Sequence, residues 1–341
     1  MTDETKATPA TPPFDTTLLT LGQKVFYGFV LALAAVVGVW GLFLPLQVDR
    51  VLPFLVPPLH ARFLGSMYLS GATFMALGML AKRWAEMRIV TPMIAIWTGT
   101  LCVVSLFYLE LFHGSRVQAW IWFLAYTIYP LVALWIAWRR RKEREPGPGG
   151  PASRGARTSL AILGVVTAAL AVALLVAPTA MTAVWPWRIS PVLAQIYGAP
   201  FLSYGVGSWI ASRPRPWSEA RIVVISTAVF TLLVLGASIV HRGLFDPSRP
   251  ATWVWFGGLF GSCGVCCGAP ERARCSRRCS EIENTERSSL GVLAMSIDYQ
   301  RRTRVEMLTT GPADTAGAPA ATTVCCGLFI AIIITIGSSM S

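Results

Sequence analysis

Trp84-Ala85-Glu86-Met87-Arg88-Ile89-Val90 is written a second time further along the chain, as Trp217-Ser218-Glu219-Ala220-Arg221-Ile222-Val223. The same separation carries Pro45 onto Pro178, Pro53 onto Pro186, Pro58 onto Pro191, Gly65 onto Gly198 and Leu69-Ser70 onto Leu202-Ser203. It also carries Trp120-x-Trp122-Phe123 onto Trp253-x-Trp255-Phe256. So many prolines, glycines and tryptophans in one register read as a tandem duplication of Pro45–Phe123 onto Pro178–Phe256.

The physical class follows from composition. Of the 341 residues, 54% are hydrophobic and 13% charged. The charges fall in short islands between apolar runs of about 20 residues, the length that crosses ~30 Å of hydrocarbon. The chain therefore reads as a multi-pass membrane protein whose main partner is the lipid bilayer. A net charge of +12 does not point to nucleic acid, because the Lys and Arg sit in short loops beside the spans, where basic residues set orientation. The polar, Thr- and Pro-rich start is followed by an apolar run, Val25–Leu44, too long for a signal-peptide core, so a retained first span is expected.

Taken in order, the chain predicts an all-α integral membrane fold: a tandem four-plus-four transmembrane helix repeat in parallel orientation, with a degenerate eighth helix and a disordered C-terminal tail. Residues 1–20 are expected as a disordered leader, 21–144 as the first repeat, 145–157 as a Pro/Gly linker, 158–268 as the second repeat and 269–341 as a low-complexity tail. Expected spans in the first repeat are Gly22–Leu44, Leu59–Ala81, Ile89–Phe112 and Val117–Trp138. Those in the second are Ser159–Ala177, Pro191–Ala211, Ile222–His241 and one starting near Ala251. The segments 82–88, 139–157, 213–221 and 272–278 hold most of the Lys and Arg, whereas the opposite mouths hold Arg50, Arg62, Arg116, Arg188, Arg242 and Arg249. That asymmetry predicts a plasma-membrane protein with a cytoplasmic N-terminus. Four spans per copy give both copies the same orientation, related by an axis along the membrane normal. Trp84, Trp120, Trp138, Trp217 and Trp185-Pro186-Trp187 are expected in the interfacial belt. Small residues on the second span, Gly65, Ser66, Ser70, Gly71 and Gly78, are expected to face a neighbouring helix, and such faces are also where a homo- or hetero-oligomer would form.

After Phe256 the second copy departs from the first, turning to Gly, Cys and Arg. Seven cysteines follow: Cys263, Cys266, Cys267, Cys275, Cys279, Cys325 and Cys326. An out-of-frame or divergent tail explains that composition; a thiolate metal site or lipidated cysteines are the alternatives. The apolar run 324–336 is short for a span.

Ionisable groups at the mouths of spans are the functional candidates. Arg62 and Glu110 are both lost in the second copy, where Gln195 replaces Arg62, so an Arg62–Glu110 ion pair is expected. His60, Glu110, His113 and His241 are the weak metal candidates: Glu110-x-x-His113 has the spacing of one helical face, and His113 and His241 could flank a haem. No nucleophile elbow, phosphate loop, zincin motif or dinucleotide fingerprint is present in a fitting context. No catalytic residue and no cofactor are assigned.

Trp185-Pro186-Trp187-Arg188-Ile189-Ser190-Pro191, followed by Ala194 and Gly198, resembles a loop-to-helix motif of uncharacterised bacterial polytopic membrane proteins. The resemblance implies a membrane location and no activity. The expected function is non-catalytic, whether accessory, sensing or structural. The alternatives are a small-solute or ion transporter built as a parallel pseudo-dimer, and a haem- or metal-binding redox protein.

Overall fold

The computed structural model describes residues 18–264, and within them every regular element is helical. The tail, its cysteines beyond Cys263, the run 324–336 and nearly all of the leader lie outside the described residues. In chain order the helices are α1 (Leu21–Phe43), α2 (Pro58–Leu80), α3 (Trp84–Met87), α4 (Val90–Phe107) and α5 (Val117–Arg139). Then follow α6 (Arg154–Val176), α7 (Pro178–Val184), α8 (Pro191–Ala211), α9 (Trp217–Val240) and α10 over 250–264. Short 3-10 turns lie at Pro45–Arg50, Leu109–Leu111 and Arg242–Leu244.

Six helices among the described residues are long and apolar enough to cross a bilayer: α1, α2, the joined Trp84–Phe107 segment, α5, α6 and α9. The protein is thus membrane-embedded, and its described residues are all-helical. α8, expected as a span, falls outside that set. Gln195, Tyr197, Ser203, Tyr204 and Ser208 dilute its apolar character, and all but Gln195 are buried inside the bundle, so α8 is solvated by protein where a peripheral helix meets lipid. α1 and α6 show the other extreme: only 22% of each apolar window is buried, against 72% in α9. The centre is built by α2 against α1 and α9, and by α8 against α4 and α6.

Glycine sets the closest of these contacts. A Cβ on Gly65 would lie 2.4 Å from the Leu42 backbone nitrogen of α1, and one on Gly41 would lie 2.8 Å from the Ala61 carbonyl of α2. The α6–α8 contact repeats the device, with a Cβ on Gly205 only 2.6 Å from the Ala168 nitrogen. The small face expected on the second span therefore does lie against a neighbour.

Several helix ends differ from the sequence-based expectation. Helix begins at Trp84 and Trp217, earlier than Ile89 and Ile222, because a first-turn carboxylate supports each start. Glu86 Oε1 accepts from the backbone N–H groups of Lys82 and Arg83, both at 3.3 Å. α6 begins at Arg154, within the expected linker, because Ser153 Oγ accepts from Ala156 N at 3.3 Å and caps it. α4 stops at Phe107, five residues early, where Tyr108 leaves helical geometry (φ −125°, ψ 40°). α10 continues past Phe256 to the last described residue.

The tryptophans divide into two groups. Trp120, Trp138 and Trp253 are exposed on the outside of the bundle, whereas Trp84, Trp185 and Trp187 are each only 3% exposed. The Trp-Pro-Trp pair is not in the belt: Trp187 packs edge-on to Phe63, Phe245 and Trp255, with centroids 4.9–5.7 Å apart.

Candidate functional site

The mouth opposite the basic segments gathers the sequence-predicted site residues, in three separate places. Arg62, on the second turn of α2, is 5% exposed. Its Nε donates to the Leu42 carbonyl at 3.2 Å, and its Nη1 lies 2.6 Å from His241 Nε2. A guanidinium only donates, so His241 accepts through Nε2 and is neutral, with its proton on Nδ1. Burial and the nearby Arg62 charge hold the His241 imidazole below its ordinary pKa. Leu42 belongs to the last turn of α1 and His241 caps α9, so the Arg62 charge sits at the carbonyl ends of two helices.

Arg62 and Glu110 do not pair among the described residues. The expectation rested on a carboxylate balancing a buried guanidinium, and backbone carbonyl ends take that role. Gln195 confirms the logic: its Nε2 donates to the Leu175 carbonyl of α6 at 2.8 Å, the neutral counterpart of Arg62 on Leu42. His60, two residues before Arg62, shares a 2.6 Å hydrogen bond between its Nδ1 and the Tyr197 hydroxyl, with the rings stacked.

Glu110 and His113 lie elsewhere, on the rim of a recess of about 500 Å³ whose floor is Phe54, Val104, Leu193 and Ile196. Glu110 is in the Leu109–Leu111 3-10 turn and His113 follows it, so the i, i+3 spacing does not place them on one α-helical face. Both side chains are exposed. Arg116, on the same rim, is drawn aside by Asp49 at 3.9 Å and the Pro53 carbonyl at 3.5 Å.

No group of three His, Cys, Asp or Glu able to hold a metal occurs among the described residues. The weak candidates are dispersed: His60 on Tyr197, His241 on Arg62, and Glu110 with His113 at the recess. A haem between His113 and His241 is disfavoured because Arg62 already occupies the Nε2 lone pair of His241.

A second charged cluster, at the basic end, is one that sequence reasoning passed over. Glu219, 1% exposed, takes Arg215 at 3.0 Å, Arg88 at 3.8 Å and the Gly147 N–H at 3.1 Å. Glu86, 5% exposed, pairs with Arg221. The two pairs run in opposite directions between the Trp84 and Trp217 segments. Their signal was present: a carboxylate at the same place in both copies of Trp-x-Glu-x-Arg.

Comparison of the chain with protein-family models, with curated proteins and with solved structures finds no match.

Proposed function

We propose that the protein is a non-catalytic, multi-pass plasma-membrane protein, built as two four-helix copies in the same orientation with the basic end cytoplasmic, and that the recess at the opposite mouth, walled by both copies, receives a small solute. The reading is sensory or accessory.

The repeat is supported by recurrence at one spacing. Elements starting at 21, 45, 58, 84, 109 and 117 have counterparts starting at 154, 178, 191, 217, 242 and 250. Side-chain bonds recur with them. Trp122 Nε1 donates to Ser105 Oγ at 2.8 Å, and Trp255 Nε1 to Ser238 Oγ at 3.1 Å. Ser70 Oγ donates across the seam to the Ser226 carbonyl at 2.6 Å, and Ser203 Oγ to the Met93 carbonyl at 2.8 Å. Orientation rests on the bias of Lys and Arg toward one end.

The observation that carries the solute reading is a difference between the copies. In the second, Trp187 packs edge-on to Phe245, Trp255 and, across the seam, Phe63; in the first, Phe54 packs edge-on to Phe112 and Trp122, but the counterpart of Phe63 is the smaller Ile196, and Phe54, Phe112 and Ile196 border the 500 Å³ recess. Arg116 is engaged, so the charge offered there is the Glu110 carboxylate over an apolar floor, which suits a small organic cation. Binding is preferred to transport because Phe63, Ser70, Tyr204 and Phe230 fill the seam where a path between the copies would run.

The test is a thermal-shift panel of organic ammonium ions on the protein in nanodiscs, beside Glu110→Gln. Stabilisation of the wild type that is lost in the variant supports the reading. The absence of any stabilising amine, or equal shifts in both proteins, overturns it.

A further inference from the structure

The basic end has a recess of its own, about 250 Å³, lined by Arg83, Trp84, Arg88, Lys142, Arg144 and Glu145. We propose that it holds the headgroup phosphate of an anionic phospholipid. The inference rests on the chain being membrane-embedded and is independent of the solute reading at the other mouth.

Position gives the first argument. Trp84 opens the apolar Trp84–Phe107 segment and Arg139 closes α5, so the recess lies where two spans leave the hydrocarbon, at headgroup depth. The second is charge. Arg83, Lys142 and Arg144 form no ion pair with a carboxylate among the described residues, and Glu143, which also lines the recess, is taken by Arg140 at 3.0 Å. Arg88, the fourth cation, is shared with Glu219 at 3.8 Å. Basic pockets between spans at this depth are where anionic headgroups lodge.

The third argument is an excess of donors. Trp84 is 97% buried by its 3% exposure, and its Nε1 has no acceptor; Arg88 Nε, also buried, has none. Both residues line the recess. Arg88 Nη2 donates to the Glu145 carbonyl, which ties the 142–146 segment over Trp84 and gives the recess its second side. A phosphodiester supplies acceptor oxygens and a negative charge, and its glycerol and acyl chains continue along the apolar helices below. The volume is several times the ~30 Å³ of one water, enough to admit a glycerophosphate. The matching place in the second copy has Pro216 where the first has Arg83, so the site belongs to the first copy.

The experiment uses the full chain in nanodiscs of phosphatidylcholine into which phosphatidylglycerol is titrated, read by thermal melting and by native mass spectrometry of retained lipid. Wild type gains a saturable stabilisation and retains phosphatidylglycerol. Arg83→Gln/Lys142→Gln/Arg144→Gln weakens the apparent affinity by roughly 100-fold, from about tenfold or less per cation. Arg242→Gln, at the other end, leaves it unchanged. Because the triple variant removes charge from a folded surface, Glu145→Gln serves as the opposite probe and tightens binding. Unchanged retention in the triple variant, equal stabilisation by phosphatidylcholine alone, or the same stabilisation from inorganic phosphate in phosphatidylcholine discs would each overturn the assignment.

Discussion

Glu219→Gln is the most informative substitution at the basic end, because one buried carboxylate there serves three donors from three segments. Its oxygens take Arg215 at 3.0 Å, Arg88 at 3.8 Å and the Gly147 N–H at 3.1 Å. Glutamine keeps the shape and one acceptor but removes the charge. Breaking a fully buried pair costs about 3–5 kcal/mol. Here the side chains of Arg88 and Arg215 are 21% and 32% exposed, so water recovers part of that loss. The expected cost is therefore about 2 kcal/mol, a fall of about 4–8 °C in melting temperature for a domain of this size. Glu86→Gln is expected to cost about half as much, since its partner Arg221 is 46% exposed and the interaction is screened. Melting of detergent-purified protein, followed by size-exclusion recovery, measures both. The discriminating step is the double variant Glu219→Gln/Arg88→Gln. If the pair links the two segments, its loss is smaller than the sum of the single losses. A Glu219→Gln melt within 1 °C of wild type, or strict additivity with Arg88→Gln, refutes the reasoning.

Three further outcomes follow from the mouth and the helix contacts. Arg62→Gln should cost less than about 1 kcal/mol, because glutamine can cap Leu42 as Gln195 caps Leu175, whereas Arg62→Met strands that carbonyl and should cost about 1–3 kcal/mol; melting curves separate the two. Gly65→Ala should destabilise by more than about 3 kcal/mol, beyond ordinary overpacking, because the new methyl meets backbone at 2.4 Å. Gly198→Ala meets the Leu175 side chain at 2.7 Å and should fall nearer 1–3 kcal/mol, so equal effects would contradict the close contact. His241, whose imidazole is held below its ordinary value, is neutral when folded. As pH falls through about 6.5 the unfolded chain takes up the proton first, so stability is full above that pH and declines toward the lowered folded value. His241→Gln should flatten the melting-temperature slope between pH 7 and pH 5 relative to wild type.

What could be read from the sequence, and what could not, divides along physical lines. Apolar runs of about 20 residues separated by charged islands report an all-helical, multi-span chain, and among the described residues six helices are long and apolar enough to cross a bilayer. Helix starts were displaced because capping at Ser153 and Glu86 is a local hydrogen-bond matter that apolar periodicity does not report. Glu110 and His113 misled for a related reason: the apolar run continues past Phe107, but Tyr108 turns the backbone out of the α-helix. The partner of Arg62 was out of reach altogether, since a carbonyl at the end of α1 has no letter in the sequence. His60 stands in the first turn of α2, and its partner Tyr197 lies 137 positions away and on another helix.

The burial of α8 bears on biosynthesis. A helix carrying Gln195, Tyr197, Ser203, Tyr204 and Ser208 gains little from lipid alone, and its backbone contact with α6 depends on Gly205 against Ala168. α6 precedes it in the chain and is among the most apolar spans, with a mean hydropathy of 2.6. An insertion machinery meeting α8 must therefore release it onto α6, where the glycine contact is waiting, or hold it until α4 also closes on its other side. On either route α8 enters as a passenger of its neighbours, and substitutions that widen the α6–α8 contact should reduce the yield of inserted protein before they lower the stability of what is made.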